Sequence, residues 1–160
     1  MNHLTYHKAT IDDISTLVEN RILFALELSG KQKEETIQAV RKQMTAYFLK
    51  AINENSCISF IAKCDGLVAG IGSMHIREMP GHFKNPTGRW GYIMNMYTIP
   101  AFRRKGICKS ILELLLNEGE KLGITAFELH ATKEGEFVYS QNGFDVHGDR
   151  TYRRFTEKNS

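Results

Sequence analysis

No apolar run in this sequence is long enough to span a bilayer, and its first eight residues, Met1 to Lys8, lack the apolar centre of a signal peptide. The expectation is therefore a cytoplasmic protein with no membrane partner. Cysteine is scarce: Cys57, Cys64 and Cys108 do not make a disulfide framework. The six histidines show neither an H-E-x-x-H pair nor Cys/His ligand spacing, so no metal is expected. An excess of one charge is also missing. A net charge of +3 is too small to argue for nucleic acid. The three prolines (Pro80, Pro86, Pro100) are dispersed, and no linker, low-complexity tract or internal repeat divides the chain.

What remains is the composition of an ordinary globular domain, 42% hydrophobic and 24% charged, with length enough for one sizeable core. One domain over residues 1–160 is expected. Leu4 to Ala9 reads as a first strand. Thr10-x-x-Asp13 resembles a capping box, and Ile11, Ile14, Leu17, Val18 and Ile22 then line one face of a helix that Gly30 stops. A second helix over 34–52 carries Ile37, Val40, Met44, Tyr47, Phe48 and Ala51 on one stripe. Ile58, Phe60 and Ala62 alternate in a strand, Asp65-Gly66 is a hairpin turn, and Leu67 to Ile76 returns beside it. A loop with Pro80, Gly81, Pro86 and Gly88 leads to a strand over 90–99. A helix over 107–122, a strand over 126–131, a short helix over 133–142 capped by Thr132, and closing strands at 144–146 and 151–155 complete the reading. The order is β-α-α-β-β-β-α-β-α-β-β. It implies an α/β chain of the α+β kind, with a mixed sheet that is antiparallel early and has a parallel crossover through 107–122.

The most informative segment is Tyr97-Thr-Ile-Pro-Ala-Phe-Arg103-Arg104-Lys105-Gly106-Ile107-Cys108-Lys109. An apolar run ends at Pro100, a cationic turn follows, and Ile107, Ile111, Leu114, Leu115 and Leu122 resume at helical spacing. A helix start carries unpaired N–H groups and a partial positive charge, which the basic side chains reinforce, so the segment suits a phosphate. It is neither a P-loop nor a dinucleotide fingerprint: Gly70-x-Gly72 is followed by His75 where a third glycine is required.

Arg103-x-x-Gly106-x-Cys108 between strand and helix resembles the Q/R-x-x-G-x-G/A turn of the GNAT superfamily of acyl-CoA-dependent N-acetyltransferases. Asn95-Met-Tyr-Thr-Ile-Pro100 resembles the segment before that turn. Leu129-His-Ala-Thr132-x-x-Gly135-x-x-x-Tyr139-x-x-x-Gly143-Phe144 resembles the later motif ending in Y-x-x-x-G-F. The resemblance is specific over about 57–148 and loose over the N-terminal helices. It implies a GNAT-like fold and acetyl-CoA as cosubstrate. The backbone of Met96, Tyr97 and Thr98 would pair with the pantetheine arm, and the turn Arg103, Arg104, Lys105, Gly106, Ile107, Cys108 and Lys109 would hold the pyrophosphate. Thr132 stands where many relatives contact the pantetheine arm through Asn. Cys108 departs from the usual Gly or Ala.

Acetyl transfer to a lysine-like amine of pKa about 10.4 requires that a proton be removed, at a cost of roughly 4–5 kcal/mol at pH 7. Glu27, His75 and Glu78 are candidate bases, with Glu27 ranked first because it ends the first helix. Tyr139 is the candidate acid for the leaving sulfur, against a purely structural aromatic. Asn95, a polar residue in an apolar strand, either holds the substrate amine or a water, or bonds a neighbouring strand. His130 is read as a packing or hydrogen-bonding residue of the sheet, and Arg150, Arg153 and Arg154 as a solvated face. The expected acceptor is a small-molecule amine or a protein N-terminus or lysine, and the expected assembly a monomer or homodimer. A non-catalytic acyl-CoA-binding regulatory module of the same fold is the alternative, and a nucleotide-phosphate enzyme is disfavoured by the missing P-loop.

Overall fold

The structure, a computed structural model, describes residues 3–157. Its elements follow in the order β1 (Leu4–Lys8), α1 (Ile14–Ser29), α2 (Glu34–Asn53), β2 (Cys57–Cys64), β3 (Leu67–Glu78), β4 (Arg89–Thr98), α3 (Ile107–Lys121), β5 (Phe127–Leu129) and α4 (Glu136–Gln141). Thr10 caps the entry to α1. Its side chain accepts from Asp12 N–H while Asp13 accepts from Thr10 N–H at 2.9 Å, the reciprocal box expected from the sequence. Gly30, at φ 75°, ends α1. Two compact units divide the chain, Met1–His130 and Ala131–Ser160.

The first unit holds the sheet, in the order β1-β2-β3-β4-β5. The first three pairings are antiparallel; β4 and β5 are parallel, joined through α3. This is the mixed sheet that short early turns and one helical crossover dictate. One face is covered by α1 and α2, whose Leu17, Val18, Met44 and Phe48 share a core with Cys57, Ile61, Ile71 and Tyr97. The other face is covered by α3 through Ile107, Ile111, Leu112 and Leu115, all buried. The glycines at 70 and 72 have their explanation here. A Cβ on Gly70 would meet Ile107, and one on Gly72 would meet both Ile111 and Met96. They let the helix lie close on β3. No helix among the described residues is long and apolar enough to cross a membrane.

The second unit departs from expectation. Residues 144–146 and 151–155, expected as closing strands, form none, and Val146, Tyr152 and Phe155 are exposed. Asp145, Gly148 and Asp149 interrupt the apolar residues with types that strands disfavour, and a short strand has no stability without a ladder partner. The short helix begins at Glu136 with Gly135 as its N-cap, so Thr132 is not the cap. Instead the Thr132 carbonyl accepts from Gly135 N–H at 3.0 Å.

The crowding at Gly72 yields a prediction. Gly72→Ala should destabilise the protein by about 1–3 kcal/mol, because a methyl there displaces Ile111 and Met96. Urea unfolding of the variant measures this, and an unchanged midpoint would show that α3 does not bear on β3 as described.

Candidate active site

β4 is ten residues long, but β5 pairs with it only at Gly91, Tyr92 and Ile93. Beyond Ile93 the two strands part. Among the described residues, 94–98 keep β3 on one side and have no strand on the other, so no ladder takes the backbone groups that alternate towards that side, and the Thr98 carbonyl accepts from Arg103 instead. The parting coincides with a bulge. Ser73 pairs with Met94 and Ile71 with Tyr97, so Gly72 alone faces both Asn95 and Met96. The extra residue exchanges the two faces of the strand: Ile93 lies opposite Met74 on the α3 side, while Tyr97 joins the core beneath α1 and α2.

Asn95 carries the bulge. It adopts φ 58°, in the left-handed region, and is 4% exposed. Neither Oδ1 nor Nδ2 has a hydrogen-bond partner. The structural bond to a neighbouring strand that the sequence allowed is therefore not made. A buried amide without partners costs about 1–3 kcal/mol, and the backbone conformation costs about 1–3 kcal/mol more.

From the end of β4 the chain turns through Pro100–Phe102 into α3. Arg104 and Gly106 both have positive φ, 64° and 76°. Nothing would meet a Cβ on Gly106, so glycine is required there by its backbone conformation rather than by crowding within the protein. The first hydrogen bond into the helix runs from Ser110 N–H to the Gly106 carbonyl at 3.0 Å, and no side chain caps the start. Ile107 is buried in the core beneath this start. The basic side chains have separate neighbours. Lys105 lies over the Phe102 ring, with 5.5 Å from Nζ to the centroid, and Lys109 is 3.7 Å from Glu113.

Arg103 does something the sequence did not indicate. Its guanidinium grips both oxygens of Glu27 at 2.6 and 2.8 Å, and its Nε donates to the Thr98 carbonyl at 3.0 Å. The same group lies 5.9 Å from the centre of the Tyr97 ring, which stacks on Phe24 of α1. Burial, reinforced by the hydrogen bond to Glu27 and its charge, pushes the Tyr97 phenol above its ordinary value, so its hydroxyl stays protonated near neutrality. Glu27, the candidate base at the end of the first helix, meets the end of β4 through Arg103, with both oxygens engaged. A pairing between residues 76 positions apart leaves no trace in periodicity.

Two further polar contacts lie on the face covered by α1 and α2. Tyr47 Oη and His75 Nδ1 are 3.1 Å apart, and burial pushes the Tyr47 phenol up. Tyr92 Oη and His130 Nδ1 are 2.8 Å apart. His75 is thus engaged, and Glu78 lies exposed at the end of β3. Among the described residues no group of three or more His, Cys, Asp or Glu is placed to hold a metal.

In the second unit, Tyr139 is buried and sits in α4. Phe144 N–H donates to the Tyr139 carbonyl at 3.1 Å, Gly143 takes φ 83°, and the Tyr139 and Phe144 rings meet edge to face at 6.2 Å. This is the Schellman ending of a helix with its accompanying apolar contact. A Cβ on Gly135 would press on the Tyr139 ring.

Residues 23–144 match the Acetyltransferase (GNAT) family. The chain belongs to the GNAT family. A predicted acetyltransferase from Clostridium acetobutylicum, solved with acetyl-CoA, shares 31% identity over 99% of this chain and 100% of its own, with a TM-score of 0.86. A GCN5-related N-acetyltransferase from Ralstonia eutropha JMP134 shares the GNAT fold at 22% identity, covering 95% of this chain and 99% of its own, TM-score 0.84. An aminoglycoside N-acetyltransferase in complex with CoA does so at 16% identity, covering 98% and 97%, TM-score 0.72. None of the curated proteins matches this chain.

The orphaned amide makes a GNAT bulge that stability alone would not select. Asn95→Gly should raise stability by about 1 kcal/mol, roughly 2–4 °C in Tm, by removing the unpaired group and accepting the positive φ. The same change should lower kcat/KM about tenfold, or 1.4 kcal/mol. Calorimetric unfolding and steady-state kinetics on one preparation read both; a variant that loses stability instead would refute the strain described.

Proposed function

We propose that this GNAT protein is an N-acetyltransferase that moves an acetyl group from acetyl-CoA to a primary amine by direct transfer in a ternary complex. The observation that carries the reading is the edge of β4 over residues 94–98, which has no strand beside it among the described residues, followed through the turn at 99–106 by the uncapped start of α3. An extended arm can add to an open strand edge by main-chain hydrogen bonds, and a pyrophosphate suits the amides and positive end of the helix that follows. The acetyl-CoA in the 31%-identical structure supports the same choice of coenzyme.

Acetyl-CoA supplies the acetyl group as a thioester, already activated for attack. The residues of this chain then have distinct parts. Met96, Tyr97 and Thr98 offer backbone groups to the pantetheine arm and a donor to the carbonyl oxygen, where negative charge develops. Arg104, Lys105, Gly106, Ile107, Cys108 and Lys109 surround the pyrophosphate, with the amides binding and the exposed cations steering. Arg103 and Glu27 hold the end of α1 against the end of β4, so we assign Glu27 to positioning rather than to proton removal. A carboxylate with both oxygens committed to a guanidinium would have to give up one of them to act as a base. Asn95 directs its amide to a water or to the amine. Tyr139 protonates the departing sulfur, and Thr132 contacts the pantetheine arm.

The acceptor is a primary amine of a small molecule, a polyamine or a peptide terminus. Isothermal calorimetry with acetyl-CoA, followed by thiol release with kanamycin, spermidine, glucosamine and an alanyl peptide, tests the proposal. Binding together with turnover of at least one amine is expected. Binding with no turnover on an expanded amine panel would leave a coenzyme-binding module, and no binding would end the reading. Tyr139→Phe should lower kcat about 100-fold with acetyl-CoA affinity retained, and an unchanged kcat would remove its hydroxyl from the chemistry.

A further inference from the structure

The fork between β4 and β5 has a titratable pair at its apex. Ile93 and Leu129 form the last rung of the parallel pairing, and His130 is the first residue beyond it. Its Nδ1 is 2.8 Å from the hydroxyl of Tyr92, one residue back on the opposite strand, and the rings meet at 5.8 Å. The histidine therefore bridges the two strands where they begin to separate. His130 is exposed, and among the described residues no hydrogen bond holds its Nε2. Tyr92 lies opposite His75 and so shares the face covered by α1 and α2 with Met94 and, beyond the bulge, Tyr97.

We infer that His130, oriented by Tyr92, takes the proton from the acceptor amine. The inference rests on the transferase reading above and deepens it. With Nδ1–H donating to Tyr92 Oη, the lone pair that can accept a proton lies on Nε2, on a residue at the root of the fork. An N–H bond of the ammonium breaks, its proton passes to a bridging water as that water gives one of its own to Nε2, and the freed nitrogen pair attacks the thioester carbon. The C–S bond then breaks with its electron pair leaving on sulfur, which takes a proton from Tyr139; the acylated nitrogen sheds its second proton to solvent, and Tyr139 regains its own from there. The imidazolium keeps its Nδ1–H bond to Tyr92 and releases the proton to solvent, which its exposure permits. Three residues of strand separate Tyr92 from Asn95, about 10 Å at ~3.3 Å per residue, a span that the His130 ring and one water cover.

The charged neighbours do not oppose this assignment. Glu128 of β5, two residues before His130, is paired with Arg77 of β3 at 2.8 Å, and that guanidinium lies 4.8 Å over the Tyr92 ring. The two charges compensate each other. His75, across the sheet from Tyr92, is held by Tyr47 of α2. Tyr92 is thus a positioning residue and His130 the proton acceptor. An imidazole suits the task because its ordinary pKa of about 6.5 lies near the working pH, whereas a carboxylate requires strong perturbation to reach it.

The test uses the full-length protein, saturating acetyl-CoA and whichever amine of the panel above gives the fastest thiol release. His130→Gln, which retains hydrogen-bonding capacity but cannot hold the proton, should lower kcat about 100-fold. Its KM for acetyl-CoA should stay within about twofold, and the low-pH limb of the kcat profile should disappear. Tyr92→Phe should lower kcat while the KM for acetyl-CoA stays within about twofold and the limb is retained, because the ring loses the bond that orients it but keeps its proton acceptor. A His130→Gln protein that retains the low-pH limb overturns the inference, whether kcat is unchanged or lowered, since a structural histidine lowers the rate without removing a titration. A wild-type protein that binds acetyl-CoA but acetylates no amine defeats the transferase reading and this inference with it; one that binds no acetyl-CoA defeats them at the coenzyme step.

Discussion

Two residues of β4, Asn95 and Met96, occupy the span that one residue of β3, Gly72, occupies opposite them, and the geometry of the site follows from that mismatch. Gly72 has no side chain, so Met96 and Ile111 can close over it, and the surplus length of β4 is taken up in the twist of the bulge. Past the bulge, β5 no longer runs beside β4. The separation leaves that side of β4 without a strand, places Tyr97 against α1, and puts His130 at the root of the gap. An uninterrupted ladder would give a better sheet with no site in it.

The strain sits where that logic predicts. Asn95 combines a left-handed backbone with an amide that has no partner, and these two costs together reach a few kcal/mol out of a total stability of about 5–15 kcal/mol. The surroundings are correspondingly firm. Ile71, Met74, Ile107, Ile111 and Leu112 are all fully or almost fully buried about the bulge. Arg103 adds a second restraint by joining Thr98, Tyr97 and Glu27, which ties the last turn of α1 to the last residues of β4.

Much of this was legible in the amino-acid order. The Thr10–Asp13 box, the Asp65-Gly66 hairpin, the two N-terminal helices and the strand–turn–helix at 97–109 all depend on local chemistry, which a sequence displays directly. The bulge itself was hidden. Gly91, Ile93, Asn95 and Tyr97 are all buried, an unbroken period of two, although Ile93 and Tyr97 lie on opposite faces of the sheet. Only the polarity of Asn95 gave a hint. The Arg103–Glu27 and Tyr92–His130 contacts are long-range and were equally invisible. The closing strands were over-read from apolar residues whose neighbours, Asp145, Gly148 and Asp149, do not favour a ladder.

In α4 the spacing from Tyr139 to Gly143 and Phe144 is set by how a helix stops: a carbonyl, a left-handed glycine and an apolar lid at fixed intervals. Any chain that ends a helix this way will keep the three residues together, whether or not its tyrosine hydroxyl ever meets a sulfur. The Y-x-x-x-G-F signature therefore survives the loss of chemistry for as long as the helix survives. As a marker it counts intact folds, and a relative with a dead site would still carry it.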